Sequence, residues 1–180
     1  MSTRDSVPTS KFAMFWSLTK PSQSGLLLAT GLAGYMSARC PVFNISTILQ
    51  LSVSLFLAIA GSTLLNMWWD RDIDAKMGRT QKRVTSKGLV TDKEVLTVGI
   101  LTSVIGIGWA VGMDWLYGLV VFAGWFFDVV VYSMWLKRRT CWSILWGGIS
   151  GAMPILAGRV LGLESIDWIG LMLALGVLLW

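Results

Sequence analysis

Long runs of apolar residues alternate with short polar segments along the whole chain. A helix needs about 20 mostly apolar residues to cross the hydrocarbon core of a bilayer, and five runs approach that length while a sixth is shorter. We predict complete spans at residues 21–38, 45–69, 95–111, 115–136 and 142–163, and a partial span at residues 166–180. The fold class that follows is all-α, a polytopic bundle of transmembrane helices.

The end of the chain falls inside the sixth apolar run. About 15 residues follow from Ile166 without a polar flank, and such a segment is too short to cross a bilayer alone. We therefore expect the native protein to continue, with residues 1–180 forming the N-terminal part of a single transmembrane domain. The polar stretch 70–94 is the largest loop, and its charge pattern predicts a short interfacial helix around residues 72–80.

The composition favours a membrane protein and excludes several kinds of site. Hydrophobic residues make up 54% of the chain and charged residues 14%, whereas a soluble domain carries about 25% charged residues. The sequence contains no histidine, which excludes a histidine metal site, a Ser-His-Asp triad and a histidine ligand to haem within these residues. We predict no nucleic-acid partner, and the sequence leaves the oligomeric state open.

Basic residues are unevenly distributed between the two sides of the predicted spans. Loops rich in Lys and Arg usually stay in the cytoplasm. Of the 15 basic residues, only Arg39 and Arg159 fall on one side; the others precede the first span or lie in the loops after the second and fourth spans. The sequence therefore predicts a multi-pass protein of the plasma membrane whose N-terminus and basic loops are cytoplasmic.

One polar stripe interrupts the cytoplasmic end of the second span. Asn66, Asp70 and Asp74 are spaced four residues apart, so on an α-helix they share a face, whereas Asp72 lies roughly opposite. An amide oxygen and two carboxylates suit Mg²⁺, which takes few protein oxygens and completes its shell with water and substrate phosphates. We predict a catalytic Mg²⁺ site at Asn66, Asp70 and Asp74; the alternative is a solvated acidic helix end.

Basic side chains accompany this stripe on the same predicted membrane face. Cations next to metal-binding carboxylates are what a metal–diphosphate complex requires, although basic clusters often only set the topology of a membrane protein. The candidate diphosphate ligands are Arg71, Arg79, Lys82, Arg83, Lys137 and Arg138.

An acidic residue also lies inside the fourth span. Ionisable residues within a span usually face the interior of the bundle, and on an α-helix Asp128 would share a face with Tyr132, Trp135 and Arg139. We predict that Asp128 and Tyr132 line the same cavity as the polar stripe. The alternative for Asp128 is a structural hydrogen bond to a neighbouring helix.

Two segments carry a resemblance to a known family. The run from Leu65 to Arg83, Leu-Asn-Met-Trp-Trp-Asp-Arg-Asp-Ile-Asp-Ala-Lys-Met-Gly-Arg-Thr-Gln-Lys-Arg, resembles the first Asp-rich motif of the UbiA-type prenyltransferase superfamily. The run 132–140, with the glycines and the proline that follow it, is similar to the Lys-Arg-Arg-Thr block of the protoheme IX farnesyltransferase (haem O synthase) branch. Val84 and Ser143 depart from that branch, which usually has Pro and Asn at these places.

The resemblance implies a bundle of about nine spans around a cavity open to the bilayer, with five complete spans and one partial span in this chain. It also implies a second Asp-rich motif beyond residue 180, and an Mg²⁺–diphosphate role for Asn66, Asp70 and Asp74. The implied reaction transfers a farnesyl group from farnesyl diphosphate to haem b within the lipid bilayer, with Mg²⁺ as cofactor. An aromatic quinone precursor or a glycerol-phosphate lipid as acceptor, and a cation-binding transporter bundle, stay open as alternatives.

Overall fold

A computed structural model describes residues 11–42, 44–74 and 90–179 of the chain. In this part every regular element is a helix, in agreement with the predicted fold class. The elements are α1 Lys11–Leu18, α2 Pro21–Arg39, α3 Ile45–Asp74, α4 Asp92–Met113, α5 Trp115–Phe126, a π-helical segment Phe127–Leu136, α6 Ser143–Leu163 and α7 Trp168–Leu179.

Among the described residues, four helices are long and apolar enough to cross a membrane, namely α3, α4, α5 together with the π-helical segment, and α6. Each of them coincides with a predicted span. Helix α3 has 30 residues and is therefore about 45 Å long, which exceeds the roughly 30 Å of the hydrocarbon core. Its polar end at Asp74 can thus project beyond the apolar layer. Helix α7 is a shorter apolar helix of 12 residues.

The first predicted span forms helix α2 but is more polar than the other four. The helix has 19 residues and starts at Pro21, whose fixed φ angle suits the first turn of a helix. It is not among the described helices that are apolar enough to cross a membrane, because it carries residues such as Gln23 and Ser24, which line an interior cavity. Composition therefore supports four of the five predicted complete spans.

Helices α2 and α6 cross at a very short distance because glycines line their contact. A Cβ atom at Gly158 would lie 1.8 Å from the carbonyl oxygen of Gly31, and a Cβ atom at Gly34 would lie 2.1 Å from that of Ile155. Only residues without a side chain permit this approach, which is common between membrane helices. The crossing fixes α2 against α6 and so fixes one wall of the interior cavity.

Tyr117 in α5 lies at the centre of the apolar core that joins α3, α5 and α6. Its side chain is fully buried and belongs to the same cluster as Leu55, Ala157 and Val160. Its hydroxyl lies 2.9 Å from Ser54 Oγ in α3, which satisfies the polar end of the ring. This hydrogen bond fixes the register of α5 along α3.

A closed polar network holds together the ends of α2, α6 and α7 that lie far from Asp74. Buried Arg159 donates hydrogen bonds to both carboxylate oxygens of Asp167, at 2.8 and 2.7 Å, and to Ser37 Oγ at 2.9 Å. The backbone N–H of Gly170 also donates to Asp167, at 2.9 Å. The hydrogen bonds from Arg159 lower the pKa of Asp167 from its ordinary value of 3.8 to about 2.

Candidate active site

A cavity of about 500 Å³ lies between α2, α3, α5, the π-helical segment and α6, and its volume is in the range of small-molecule sites. Its charged and polar lining is concentrated towards the helix ends on the side of Asp74 and extends inwards to Ser62 and Asp128, while its apolar lining comes mainly from the middle of the helices. The polar lining includes Lys20, Gln23, Ser24, Ser62, Asn66, Asp70, Asp74, Asp128, Tyr132 and Lys137. The apolar lining includes Leu27, Leu55, Ala58, Ile59, Val121, Met153, Pro154 and Ala157.

Helix α3 presents the predicted polar stripe to this cavity. Asn66, Asp70 and Asp74 all belong to the lining, and Asp70 and Asp74 are buried although they are acidic. Asp72, which the helical spacing places on the opposite side, is exposed. The structure thus places Asn66, Asp70 and Asp74 together on the cavity face of α3 and keeps Asp72 away from them.

Two oxygen atoms of the stripe are buried without a hydrogen-bond partner in the described part of the chain, Asn66 Oδ1 and Asp70 Oδ1. Asn66 donates from Nδ2 to Asp128 Oδ2 at 2.8 Å, and Asp70 uses its other oxygen for an ion pair with Lys137. An unsatisfied buried polar group costs about 1–3 kcal/mol. Open acceptors of this kind are suited to a ligand that the protein does not itself supply.

The donor set of the stripe fits Mg²⁺ as part of a metal–substrate complex. Within residues 11–42, 44–74 and 90–179, no three Asp, Glu, His or Cys side chains form a group that could hold a metal ion. Mg²⁺ usually binds through one or two carboxylates and takes its other ligands from water and substrate phosphates, so two carboxylates and an amide oxygen suffice. Zn²⁺ would require Cys or His ligands, which the stripe lacks.

The π-helical segment brings Lys137 into the same cavity. The backbone N–H of Lys137 donates to the carbonyl oxygen of Tyr132 at 2.8 Å, the five-residue hydrogen bond that defines a π-helix. On an α-helix, Lys137 would lie opposite Asp128, nine positions earlier. In the wider π turns, residues four or five apart share a face, so that Asp128, Tyr132 and Lys137 all line the cavity.

The same widening makes the predicted α-helical face wrong beyond Tyr132. Trp135 is 55% exposed, Arg139 is exposed, and neither belongs to the cavity lining. Lys137 takes their place, forming the ion pair with Asp70 and lying 5.4 Å from the centre of the Tyr132 ring. The predicted cavity residues Asp128 and Tyr132 are both in the lining.

Lys20 is a cavity residue that the sequence analysis missed. It directly precedes Pro21 and has a left-handed backbone with φ 49°, a conformation that is uncommon for a residue with a side chain. Residues held in such conformations cluster at ligand sites. The sequence does contain a signal for Lys20. It is a basic residue next to the proline that starts α2, and it lies on the same predicted membrane face as the polar stripe.

Arg71 and Arg138 are the other predicted diphosphate ligands that the structure describes, and neither is in the cavity lining. Arg71 forms an ion pair with Asp92 at the start of α4. Arg138 pairs with Asp72 at 2.8 Å and donates to the carbonyl oxygen of Trp69 at 2.8 Å. Both guanidinium groups are therefore held on the outside of α3 by acids that compete with the cavity for them. Three predicted ligands lie outside the described residues, as does most of the predicted interfacial helix: Arg79, Lys82 and Arg83.

The sequence matches that of curated proteins in several archaea and bacteria. It is 44% identical over 164 residues to a protoheme IX farnesyltransferase of Archaeoglobus fulgidus, and 39% identical over 163 residues to one of Korarchaeum cryptofilum. A protoheme IX farnesyltransferase of Streptomyces avermitilis is 36% identical over 167 residues. These matches cover 91%, 91% and 92% of this chain but 57%, 55% and 55% of the relatives, so the chain spans little more than half of their length.

The fold is shared with solved membrane prenyltransferases. A structure of digeranylgeranylglyceryl phosphate synthase gives a TM-score of 0.83 at 17% identity, covering 94% of this chain and 59% of that one. A UbiA homolog from Archaeoglobus fulgidus bound to DMAPP and Mg²⁺ gives 0.76 at 15% identity, covering 92% and 60%. The profile of the UbiA prenyltransferase family matches residues 27–180. With most of its length matched, the chain belongs to the UbiA prenyltransferase family.

Proposed function

We propose that this chain is the N-terminal part of a magnesium-dependent prenyltransferase that moves the farnesyl group of farnesyl diphosphate to haem b, giving haem O. One observation carries the proposal: the open oxygens of Asn66 and Asp70 adjoin an apolar chamber in a single cavity. A prenyl diphosphate has the matching two parts, an anionic head and an apolar chain. The names of the curated relatives support haem as the acceptor, and UbiA homologs bound to DMAPP or GPP with Mg²⁺ support the donor.

The polar end of the cavity is proposed to hold the metal and the diphosphate. Asp70, Asp74 and Asn66 Oδ1 would be the ligands, and bound Mg²⁺ would neutralise the charge of the leaving diphosphate. Lys137 exchanges its contact with Asp70 for a charge-assisted hydrogen bond to a diphosphate oxygen. Lys20 supplies a second positive charge at the same end of the cavity. From the loop outside the described residues, we propose three further diphosphate ligands: Arg79, Lys82 and Arg83.

Asp128 is proposed to set the orientation of the Asn66 amide. A carboxylate accepts hydrogen bonds, so the amide must turn its NH₂ group towards Asp128, as the 2.8 Å contact shows. An amide carries its oxygen on the other side of the same carbon, and fixing the NH₂ group therefore fixes Asn66 Oδ1. Asp128 thus acts as a positioning residue for a metal ligand, without contacting the substrate.

The chemical step follows from the two ends of the cavity. The bond between C1 of the farnesyl group and the diphosphate oxygen breaks, and its electron pair leaves with the diphosphate. The apolar chamber keeps water away from the allylic cation, and the ring of Tyr132 stabilises the positive charge through its π face. The haem b vinyl group attacks C1, and a water molecule adds to the resulting cation and loses a proton.

The orientation of the protein is part of the proposal. Lys20 and Lys137, at the helix ends on the side of Asp74, line the cavity, whereas Arg39 and Arg159 lie at the opposite helix ends. Since basic residues accumulate on the cytoplasmic side, we propose that the diphosphate site faces the cytoplasm. The protein would be a multi-pass protein of the plasma membrane.

Product analysis of the full-length protein tests the proposed reaction. The protein is reconstituted in phospholipid vesicles with farnesyl diphosphate and haem b, and the products are separated with and without a chelator. We expect one farnesylated haem that disappears on chelation and returns when Mg²⁺ is added. Prenylation of an aromatic quinone precursor or a glycerol-phosphate lipid in place of haem would overturn the choice of acceptor. Cation flux across the vesicles without any transfer would instead establish a transporter.

A further inference from the structure

The apolar chamber of the cavity ends on packed side chains on the side away from Asp74. In the described part of the chain, one apolar residue on each of four helices marks that end of the lining: Leu27 in α2, Leu55 in α3, Val121 in α5 and Ala157 in α6. About one turn farther along α3, α5 and α6 lie core residues that are almost fully buried: Leu51, Tyr117 and Val160. The four lining residues therefore form a floor for a ligand that enters from the polar end.

Leu55 is fitted into this floor by a glycine on the neighbouring helix. Its side chain is 3% exposed, and a Cβ atom added at Gly31 in α2 would clash with its Cδ2 atom. The end of the leucine side chain thus occupies the space that a side chain at position 31 would need. The added atom would also lie 3.3 Å from the carbonyl oxygen of Pro154 in α6. Leu55 therefore packs where α2 and α6 are in close contact, which leaves it little room to withdraw from the chamber.

The depth of the chamber can be compared with the length of a prenyl group. From Asn66 to Leu55, helix α3 rises about 16 Å. An extended prenyl chain gains about 1.25 Å for each carbon–carbon bond, because the bonds are about 1.5 Å long and inclined to its axis. Its length is then about 9 Å for geranyl, about 14 Å for farnesyl and about 19 Å for geranylgeranyl. With the diphosphate at the polar end, a farnesyl group fits above the floor, whereas a geranylgeranyl group is too long by about 3 Å.

We propose that Leu55 determines the length of the prenyl donor by closing the chamber behind the third isoprene unit. This inference rests on the proposed donor, a prenyl diphosphate, and adds the residue that selects its length. A fourth isoprene unit would overlap the leucine side chain. Because an apolar pocket discriminates about 10- to 200-fold between ligands that differ by one methylene, a whole extra unit should be disfavoured at least about tenfold.

Binding of unreactive donors to the full-length protein tests the proposal. The thiolodiphosphate analogues of geranyl, farnesyl and geranylgeranyl diphosphate are titrated calorimetrically in detergent at saturating Mg²⁺, so that no acceptor and no chemical step are needed. We expect the farnesyl analogue to bind at least about tenfold more tightly than the geranylgeranyl analogue. Equal affinities of these two would mean that the tail leaves the chamber sideways and would overturn the role of Leu55. Failure of all three to bind would overturn the proposed donor as well.

Two buried leucines of α3 provide matched variants. Leu55→Ala removes the two successive carbon–carbon bonds beyond Cβ and so restores most of the missing length. The affinity for the geranylgeranyl analogue relative to the farnesyl analogue should therefore rise about tenfold. Leu51→Ala opens a similar cavity in the core but outside the lining, so it should lower the melting temperature and leave the relative affinity unchanged. An unchanged relative affinity in Leu55→Ala, or an equal rise in both variants, contradicts the proposal.

Two glycines of α2 test the same floor without emptying the core. Gly31→Ala should push the end of Leu55 into the chamber, so that the farnesyl analogue binds about tenfold more weakly while the shorter geranyl analogue binds as before. Gly25→Ala is the control, because a Cβ atom there would have open space around it, and all three affinities should stay the same. An unchanged affinity for the farnesyl analogue in Gly31→Ala would refute the role of Leu55, even if Leu55→Ala were too unstable to measure.

Discussion

The two ends of the helical bundle carry polar groups of the same types but differ in how completely these groups are paired. At one end, Arg159 and both carboxylate oxygens of Asp167 have partners within the protein. At the other end, Asn66 and Asp70 each keep one buried oxygen without a partner. A ligand cannot add a missing hydrogen bond to the closed network, whereas it can pair with the open oxygens at the other end. Substitutions at the first end should therefore change stability, and those at the second end should change binding and transfer.

The largest effect is expected from Asp70→Asn. The variant keeps the size of the side chain but loses the charge that the proposed Mg²⁺ site needs, so the rate of farnesyl transfer should fall at least about a hundredfold, measured at saturating Mg²⁺. Asp72→Asn is the matched control, because Asp72 is exposed on the opposite face and its pair with Arg138 is exposed as well. That control should stay within about threefold of the unchanged protein. Equal losses in the two variants would remove the distinction between the two faces of α3.

A smaller effect is expected from Lys137→Met, which removes the ammonium group and keeps most of the apolar stem. The KM for farnesyl diphosphate should rise about 10- to 100-fold, since a charge-assisted hydrogen bond to the diphosphate is lost. Arg138→Met is the control, because Arg138 is the next residue in the chain and is held outside the cavity. If both variants raised the KM equally, the positioning of Lys137 by the π-helical segment would have no bearing on substrate binding.

A weaker affinity for metal is the next effect, expected from substitution of Asp128 and measured without substrate. Asp128→Leu should weaken the binding of Mn²⁺, followed by its electron paramagnetic resonance signal, about tenfold, as for other residues that orient a metal ligand. The double variant Asn66→Asp with Asp128→Asn should restore affinity to within about threefold. A carboxylate at position 66 presents an oxygen in either orientation, and the amide at position 128 donates to it. A double variant as weak as Asp128→Leu would show that Asp128 only supports the fold.

The closed end should respond in stability alone. Arg159→Met leaves Asp167 and Ser37 without their main partner, and the free energy of unfolding should fall by about 1–3 kcal/mol, measured as a lower melting temperature in detergent. Transfer per folded molecule should not change. Lys11→Met is the control. The Lys11 side chain pairs with Glu94 and is 76% exposed, and exposed pairs contribute little to stability. Lost transfer in folded Arg159→Met protein would contradict the division between the two ends.

The smallest effect is the pH dependence of the same network. The hydrogen bonds from Arg159 hold the pKa of Asp167 at about 2, below its ordinary 3.8, so the native state favours the ionised carboxylate. The stabilisation is complete above the unfolded value and disappears as the pH falls towards the folded value. Melting temperatures recorded between about pH 5 and pH 2 should fall less steeply for Asp167→Asn than for the unchanged protein. Parallel curves would show that another group controls the acid response.

Most of the helical architecture is predictable from the sequence because bilayer thickness imposes a length on every span. Helices α3, α4 and α6 and the combined α5 and π-helical span meet that requirement, and their apolar runs are unmistakable. Helix α2 is less apolar because Gln23 and Ser24 face the cavity. A hydrophobic pattern records how many polar residues a helix contains, but only the packed bundle shows that they face inwards.

The candidate site is predictable where the α-helical period holds. Asn66, Asp70 and Asp74 share a face in the structure because α3 is α-helical through Asp74. The face drawn through Trp135 and Arg139 is wrong because the π turns change the period, and no apolar pattern marks that change. The sequence also does not show which partner a long side chain chooses. Arg138 has a guanidinium group that suits phosphate, but in the structure it pairs with Asp72.

The wide turns of Phe127–Leu136 also affect how this protein is compared with its relatives. Such a stretch contains a surplus residue relative to an α-helix that makes the same rotation. A relative whose span is α-helical throughout makes the same rotation with fewer residues, so its residue that faces Asp70 would lie fewer positions along the span than Lys137 does here. Aligning the fourth span without a gap would then assign the wrong column to Lys137.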